Sequence, residues 1–290
     1  MYCYTQLEAF RNTPKLVDLV DVDSQKWQDC ADSSLWPLSW LHRLEAQRVR
    51  RLENQICQRA DHVFVISEDE LSTLQQANPH TNALVAGNGV DTHYFSPSGQ
   101  VNSDDPICCF IGVLNYFPNV DGLVWFANEI WPRIRAQHSN ARLQIVGKSP
   151  NHSVLALANS AGVEVYADVP DVRPYLENSS AVIAPLRIAR GVQNKVLEAM
   201  AMGRPVVASR AALTGIHARP NHELLMAEST EDWESAILRL LTDETQRSSL
   251  GTAAQEYVVT HHDWQESLVP FGEALSIASH HAEPAKEVTA

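Results

Sequence analysis

Residues 181–208 constrain the fold more than any other stretch of this 290-residue chain. An apolar strand over 181–185 leads into a loop with two arginines, and the chain then turns at Gly191 into a short helix. Gly203 is a typical residue to end that helix, and Pro205 cannot continue it. A second apolar strand over 205–208 follows at once. Because a strand–helix–strand unit requires parallel strands and a right-handed crossover, we predict an α/β protein.

The loop of this unit carries residues that favour an anion. Ligands of parallel sheets lie beyond the carboxyl ends of the strands, where the free amides of helix N-termini attract negative charge. Arg187, Arg190 and Gly191 lie at that place in the sequence, together with the amides of residues 191–193. The sequence therefore predicts a site for a phosphate-bearing ligand.

Lys195 and Glu198 add a second feature to the same helix, because a spacing of three residues puts both side chains on one face. A lysine at this position can reach a diphosphate, and a carboxylate can accept hydrogen bonds from a ribose diol. The other interpretation is a surface ion pair that contributes little to stability. The residues alone leave both interpretations open.

The run from Leu197 to Ser209, LEAMAMGRPVVAS, resembles the donor-binding signature of GT-B glycosyltransferases of family 4, the glycosyl transferases group 1. In that family a glutamate usually stands eight residues before the position of Glu198, and here Arg190 stands there. The variant with Arg190, Gly191 and Lys195 is similar to a bacterial subgroup, the sugar transferases associated with PEP-CTERM and exopolysaccharide systems. The resemblance implies a GT-B fold and a nucleotide-diphosphate sugar as donor, with no metal and no separate cofactor.

The resemblance also implies roles for individual residues. Arg190 and Lys195 would stabilise the leaving diphosphate, and Glu198 would hold the ribose. The loop over 114–121 lacks the basic residues that many relatives carry there, so Arg187 would also have to supply positive charge. The residues expected to bind the donor are Gly112, Asn115, Arg187, Gly191, Val192, Gln193 and Asn194.

The rest of the chain predicts two Rossmann-like domains. Three strands, over 16–23, 60–67 and 83–86, precede a stretch that resembles the element found before the interdomain linker of these transferases. A GT-B half has about six strands, so we expect the N-terminal domain to be partial. Its first part, expected before residue 16, would be missing because the reading frame is N-terminally truncated, or it would come from another chain. The predicted regions are a partial acceptor-side domain (1–97), a linker (98–105), a complete donor-binding domain (106–263), a terminal crossover helix (264–277) and a disordered tail (278–290).

Charge and composition exclude several classes of function. The net charge of −13 argues against nonspecific binding of nucleic acid, since no basic stripe exists to neutralise phosphates. No apolar run reaches the ~20 residues of a membrane span, so we expect a cytoplasmic protein. The five cysteines are odd in number and lack metal-ligand spacing, which indicates neither a disulfide framework nor a zinc site. A predicted helix over 37–59 has a basic face, which is either solvated or a contact for an acidic partner or a lipid-linked acceptor. A lipid-linked acceptor would imply peripheral contact with the inner membrane.

These observations predict a glycosyltransferase that moves a sugar from a nucleotide-diphosphate sugar to a glycan or lipid-linked acceptor in exopolysaccharide biosynthesis. The resemblance implies that the anomeric configuration is retained. Two alternatives stay open. The chain could be an inactive, N-terminally truncated remnant that binds nucleotide sugars, or an epimerase of the same fold that acts on a nucleotide sugar without an acceptor.

Overall fold

The computed structural model describes residues 13–99, 105–189 and 191–281. The chain divides into two compact units, which we call unit 1 (Met1–Gly87 with Ser267–Ala290) and unit 2 (Asn88–Glu266). The division falls between Gly87 and Asn88, before the stretch 98–105 in which the sequence predicts a linker. The acceptor-side and donor-side roles of the two halves stay predictions.

Unit 1 contains a parallel three-stranded sheet with the strand order β1-β2-β3, as the three strands in the sequence predict. Ser67 ends the loop after β2 and caps α3, because its hydroxyl oxygen accepts a hydrogen bond of 3.3 Å from the amide of Glu70. The elements that precede unit 2 are β1 (Leu16–Val20), α1 (Asp23–Ser33), α2 (Leu38–Cys57), β2 (His62–Val65), α3 (Glu68–Ala77) and β3 (Ala83–Val85).

Unit 2 contains a parallel six-stranded sheet with the order β6-β5-β4-β7-β8-β9. Its strands are β4 (Ile107–Val113), β5 (Arg142–Lys148), β6 (Val163–Ala167), β7 (Ala181–Ala184), β8 (Val206–Ala208) and β9 (Leu225–Met226). Its helices are α4 (Phe117–Trp125), α5 (Trp131–Gln137), α6 (His152–Ala156), α7 (Arg173–Glu177), α8 (Asn194–Ala201), α9 (Thr230–Thr242) and α10 (Glu244–His261). The chain then forms α11 (Trp264–Ser267) and α12 (Val269–His281).

The central strands β4 and β7 are buried on both faces, which explains why these two strands are continuously apolar. Along β4, Cys108 and Phe110 point into a core that contains Phe126 and Trp233. Cys109 and Ile111 point into a second core, to which α8 and the C-terminal half of α10 contribute residues. This period of two is the one that a strand between two helical layers requires.

The strand order reverses between β4 and β7, because the first strand of the unit lies at the centre of its sheet. In open parallel sheets this switch point leaves a crevice at the carboxyl ends of the two strands, where ligands bind. Glycines shape the crevice by letting backbone segments come close. A Cβ on Gly122 of α4 would lie 2.2 Å from the carbonyl oxygen of Pro185, directly after β7.

Two predicted helices have different bounds in the structure. Helix α8 begins at Asn194 and not at Gly191, because Gln193 has an extended backbone (φ −89°, ψ 99°) and so precedes the first helical residue. The terminal helix predicted over 264–277 is two helices, which meet at Leu268. None of the helices in the described ranges combines the length and the apolar character of a membrane span.

Candidate functional site

An open pocket of about 690 Å³ lies at the switch point of unit 2. Two chain segments form its walls: the end of β4 with the loop that follows, and the start of α8 with the residues before it. The lining residues are Gly112, Val113, Asn115, Tyr116, Phe117, Asn119, Val192, Gln193, Asn194, Lys195 and Glu198.

Lys195 is held in this pocket by neighbours on the β4 side. Its Nζ donates a hydrogen bond of 2.5 Å to Oδ1 of Asn119, and it lies 5.1 Å from the centroid of the Phe110 ring. Asn119 is itself buried and fixed, because its Nδ2 donates to the carbonyl oxygen of Val113 at 2.8 Å. Burial lowers the pKa of Lys195 to about 8, although the negative charge of Glu198 acts in the opposite direction. The ammonium group is therefore positioned and incompletely solvated.

Glu198 lies one turn further along α8 and lines the same pocket. Burial raises the pKa of its carboxyl group, and the charge of Lys195 opposes that shift. Within the described ranges its carboxylate oxygens accept no hydrogen bond. A pocket that holds two ionisable groups with pKa values shifted by burial is typical of a functional site.

Gly112 leaves the space that Lys195 occupies. A Cβ at this position would lie 3.1 Å from Nδ2 of Asn119 and 3.4 Å from Cε of Lys195, which is tighter than side chains normally pack. The backbone of β4 therefore forms part of the pocket wall directly, as the sequence predicts for a glycine at which the backbone approaches the donor.

The segment between β7 and α8 is tied to its surroundings at both ends. Ser209, after β8, donates a hydrogen bond of 2.5 Å from its hydroxyl group to the carbonyl oxygen of Leu186. Val192 packs against Gly215, where a Cβ would lie 2.8 Å from the Val192 side chain. These contacts fix the entry to α8 and so the direction in which Lys195 points.

The pocket brings together most of the residues predicted to bind the donor. Seven predicted residues line it: Gly112, Asn115, Val192, Gln193, Asn194, Lys195 and Glu198. Arg187 does not line it, because its guanidinium group extends to solvent and lies 3.4 Å from the carboxylate of Asp121. Gly191 lies in the loop before the pocket wall with φ +62°, and Arg190 lies outside the described residues.

Four residues of the site were not singled out from the sequence. Asn119 and Phe110 position Lys195, while Tyr116 and Phe117 are exposed aromatic side chains in the pocket wall. A buried asparagine one position after Pro118, at the start of a helix, is a signal that could have indicated Asn119. In the described part of the chain, histidine, cysteine, aspartate and glutamate side chains do not group in threes as metal ligands would.

Comparison with known proteins extends these observations. Residues 105–243 match the family Glycosyl transferases group 1. The chain is 26% identical to a D-inositol 3-phosphate glycosyltransferase from Corynebacterium aurimucosum, over 73% of this chain and 56% of that protein. It therefore spans little more than half the length of this curated relative.

Solved structures show the same fold. A glycosyltransferase from Rickettsia africae superposes with a TM-score of 0.66 at 14% identity, covering 91% of this chain and 82% of that one. Anabaena HepE in complex with UDP and glucose superposes with a TM-score of 0.65 at 15% identity, covering 91% and 71%. The α/β fold with parallel sheets, predicted from the sequence as that of GT-B glycosyltransferases, is confirmed.

Proposed function

We propose that the chain transfers a sugar from a nucleotide-diphosphate sugar to a hydroxyl-bearing acceptor, because residues 105–243, which match the glycosyl transferases group 1, form the pocket at the switch point. One observation carries the proposal. Lys195 and Glu198 lie one helical turn apart in this pocket, a cation and a carboxylate at the place where parallel sheets bind nucleotides. The family match and the pocket thus involve the same segment.

In the proposed reaction the bond between the anomeric carbon and the diphosphate breaks, and the acceptor oxygen forms a bond to that carbon with retention of configuration. The proton of the acceptor hydroxyl group passes to the leaving diphosphate. Negative charge develops on the leaving diphosphate. Lys195 stabilises that charge from a fixed position, together with the backbone amides of residues 191–193, so little reorganisation is needed as the charge forms. Glu198 accepts hydrogen bonds from the ribose diol and so orients the nucleotide.

The aromatic side chains at the pocket wall suit the flat parts of the donor. Tyr116 and Phe117 are 58% and 65% exposed, although the burial of large apolar side chains is favourable. A nucleobase or a sugar ring that stacks on either ring would cover this area. We propose that these two residues contact the donor, and that the acceptor is a glycan or lipid-linked hydroxyl in exopolysaccharide biosynthesis.

A thermal-denaturation titration tests the donor site. UDP, GDP and ADP and their glucose derivatives are added to the chain and to Glu198→Ala, with Glu256→Ala as control, since Glu256 is an exposed glutamate on α10. A nucleotide at ~100 times its dissociation constant stabilises the protein by about 2.7 kcal/mol, which raises the midpoint by several degrees. We expect this shift for the parent and the control, and a weakened one for Glu198→Ala.

Two results would count against the proposal. If no nucleotide changes the melting of the folded chain, the donor site is refuted. If a nucleotide binds but no sugar reaches any glycan or polyprenyl acceptor when radiolabelled donor is supplied, the alternative of a nucleotide-sugar-binding remnant is favoured. Formation of a second nucleotide sugar without an acceptor would favour the epimerase instead.

Within unit 1, the start of α2 has a surface suited to a membrane interface. Five large apolar side chains in seven residues are exposed: Leu35 (87%), Trp36 (82%), Leu38 (55%), Trp40 (60%) and Leu41 (47%). Four exposed arginines follow on the same helix: Arg43, Arg48, Arg50 and Arg51. Tryptophan with arginine is the combination found where proteins meet anionic lipid headgroups. We propose that this surface holds the chain peripherally at the membrane that carries its acceptor.

Vesicle sedimentation tests this surface. We expect the chain to pellet with vesicles that contain phosphatidylglycerol more than with pure phosphatidylcholine, and less so at high salt. Trp36→Ser with Trp40→Ser should release the chain. Leu155→Ser, at a residue 46% exposed in unit 2, is the matched control. Equal sedimentation of the double variant and the parent would contradict the assignment.

A further inference from the structure

A second pocket lies within unit 2, at the opposite ends of the strands from the first pocket. It has a volume of about 420 Å³, which is in the range of small-molecule sites. Ser179 and Ser180 line it directly before β7, and Arg204 and Pro205 line it directly before β8. Because β7 and β8 are parallel, this pocket is at their amino ends, whereas Lys195 and Glu198 lie beyond the carboxyl end of β7. The two pockets share no lining residue.

Arg204 lacks a full set of partners in this second pocket. Its Nε is buried and, among the described residues, meets no hydrogen-bond acceptor. Its Nη1 is 3.4 Å from the carbonyl oxygen of Ser179, which is a long hydrogen bond. The charge of Glu177 acts on Arg204, but this carboxylate is already engaged, since one of its oxygens accepts from the amide and the hydroxyl group of Ser98 at 2.6 and 2.7 Å. A buried donor without a partner is unfavourable and so calls for an explanation.

Arg247 places a second positive charge beside the first. It lines the same pocket from the first turns of α10, and its Nη1 donates to the carbonyl oxygen of Leu240 at 2.8 Å. Burial lowers the pKa of Arg204; the charge of Glu177 raises it, and the charge of Arg247 lowers it further. Within the described ranges neither guanidinium group forms an ion pair with a carboxylate. Because the two positive charges repel each other, an anion bound between them would be stabilising.

The remaining polar groups of the lining suit a phosphate. The side chains of Ser248 and Thr252 lie on α10 after Arg247 and add two hydroxyl groups to the same lining. A phosphate offers more acceptor oxygens than a carboxylate, and guanidinium groups bind it through paired hydrogen bonds. The exposed carboxylate of Glu244 is the acidic group of this lining.

We propose that the pocket between Arg204 and Arg247 binds a small molecule that carries a phosphate monoester, at a site separate from the donor pocket. The inference does not depend on the proposed glycosyl transfer, because it rests on a different pocket and on different charges. The ligand supplies the acceptor atoms that Arg204 Nε lacks and compensates the two neighbouring positive charges.

The test is a titration with inorganic phosphate and with glycerol 3-phosphate, followed by thermal denaturation at constant ionic strength in chloride. We expect a saturable rise of the melting temperature with both phosphates and a much smaller rise with acetate. Arg247→Gln should raise the apparent dissociation constant for phosphate about tenfold or more, as the loss of a hydrogen bond to a charged group does. Arg210→Gln, at an exposed arginine after β8, is the control for net charge.

A further variant separates this site from the donor site. Lys195→Ala should keep the phosphate response of the parent, because Lys195 does not line the second pocket. An unchanged phosphate response in Arg247→Gln, or no response of the parent beyond that to chloride, would overturn the proposal. A phosphate response lost in Lys195→Ala and kept in Arg247→Gln would also overturn it, by assigning the ion to the donor pocket.

Discussion

The substitution Gly147→Ala is expected to prevent unit 2 from folding. Gly147 ends the buried part of β5 with φ +159°, and a Cβ there would lie 1.7 Å from the carbonyl oxygen of Gly112 on the neighbouring strand β4. Backbone atoms of adjacent strands cannot separate without loss of the hydrogen bonds between them. We expect a loss of at least about 4 kcal/mol of unfolding free energy, the size typical of severe core defects.

Thermal unfolding followed by circular dichroism measures this effect. Gly272→Ala is the matched control, because Gly272 lies within helix α12 and a Cβ there meets no atom within 4 Å. In a helix that change should stabilise by about 0.5–1 kcal/mol. If Gly147→Ala melted within a degree or two of the parent, the close approach of β4 and β5 would not be as described, and neither would the β4 wall of the donor pocket.

Replacement of Lys195 by alanine is expected to weaken nucleotide binding by about 10- to 100-fold, because a hydrogen bond between charged groups contributes about 1.5–3 kcal/mol. The measurement is calorimetric titration with the nucleotide that stabilises the parent. Lys26→Ala is the control, since Lys26 is an exposed lysine of α1 and its loss changes the net charge equally. Equal affinities of Lys195→Ala and the parent would remove Lys195 from the donor site.

The pH dependence of the same affinity gives a second measurement on Lys195. Its pKa is lowered to about 8 by burial, so the ammonium form that attracts a diphosphate predominates below pH 8 and is lost above it. A bound anion favours the protonated form, so the affinity should fall roughly tenfold between pH 7 and pH 9. Lys195→Arg stays charged over this range and should bind without that dependence. An affinity of the parent that does not change with pH would contradict the low pKa.

Much of the fold could be predicted from local patterns in the sequence. The apolar run of β4 and the cap formed by Ser67 depend on neighbours within a few residues, so the sequence contains what is needed to predict them. The same holds for Lys195 and Glu198, because helical geometry alone puts positions three apart on one face. In the structure both residues line one pocket.

Other features depend on residues far apart in the sequence and could not be predicted in this way. Arg187, which the sequence predicts to bind the donor, lies beside Asp121, a residue 66 positions away. Asn119 positions Lys195 across 76 residues. Residues Phe126–Ile130, between α4 and α5, adopt π-helical geometry, which the periodicity of the sequence does not show.

Helix α8 has one end at each of the two pockets. Lys195 lies in its first turn, and Gly203 and Arg204 follow directly after its C-terminal cap at Met202. The eight residues of α8 span about 12 Å. Inserting or deleting one residue would turn one end against the other by about 100° and shift it by about 1.5 Å. The length of α8 therefore sets the distance between the two pockets. Side chains along the helix can be exchanged, but adding or removing a residue would displace Lys195 relative to Arg204.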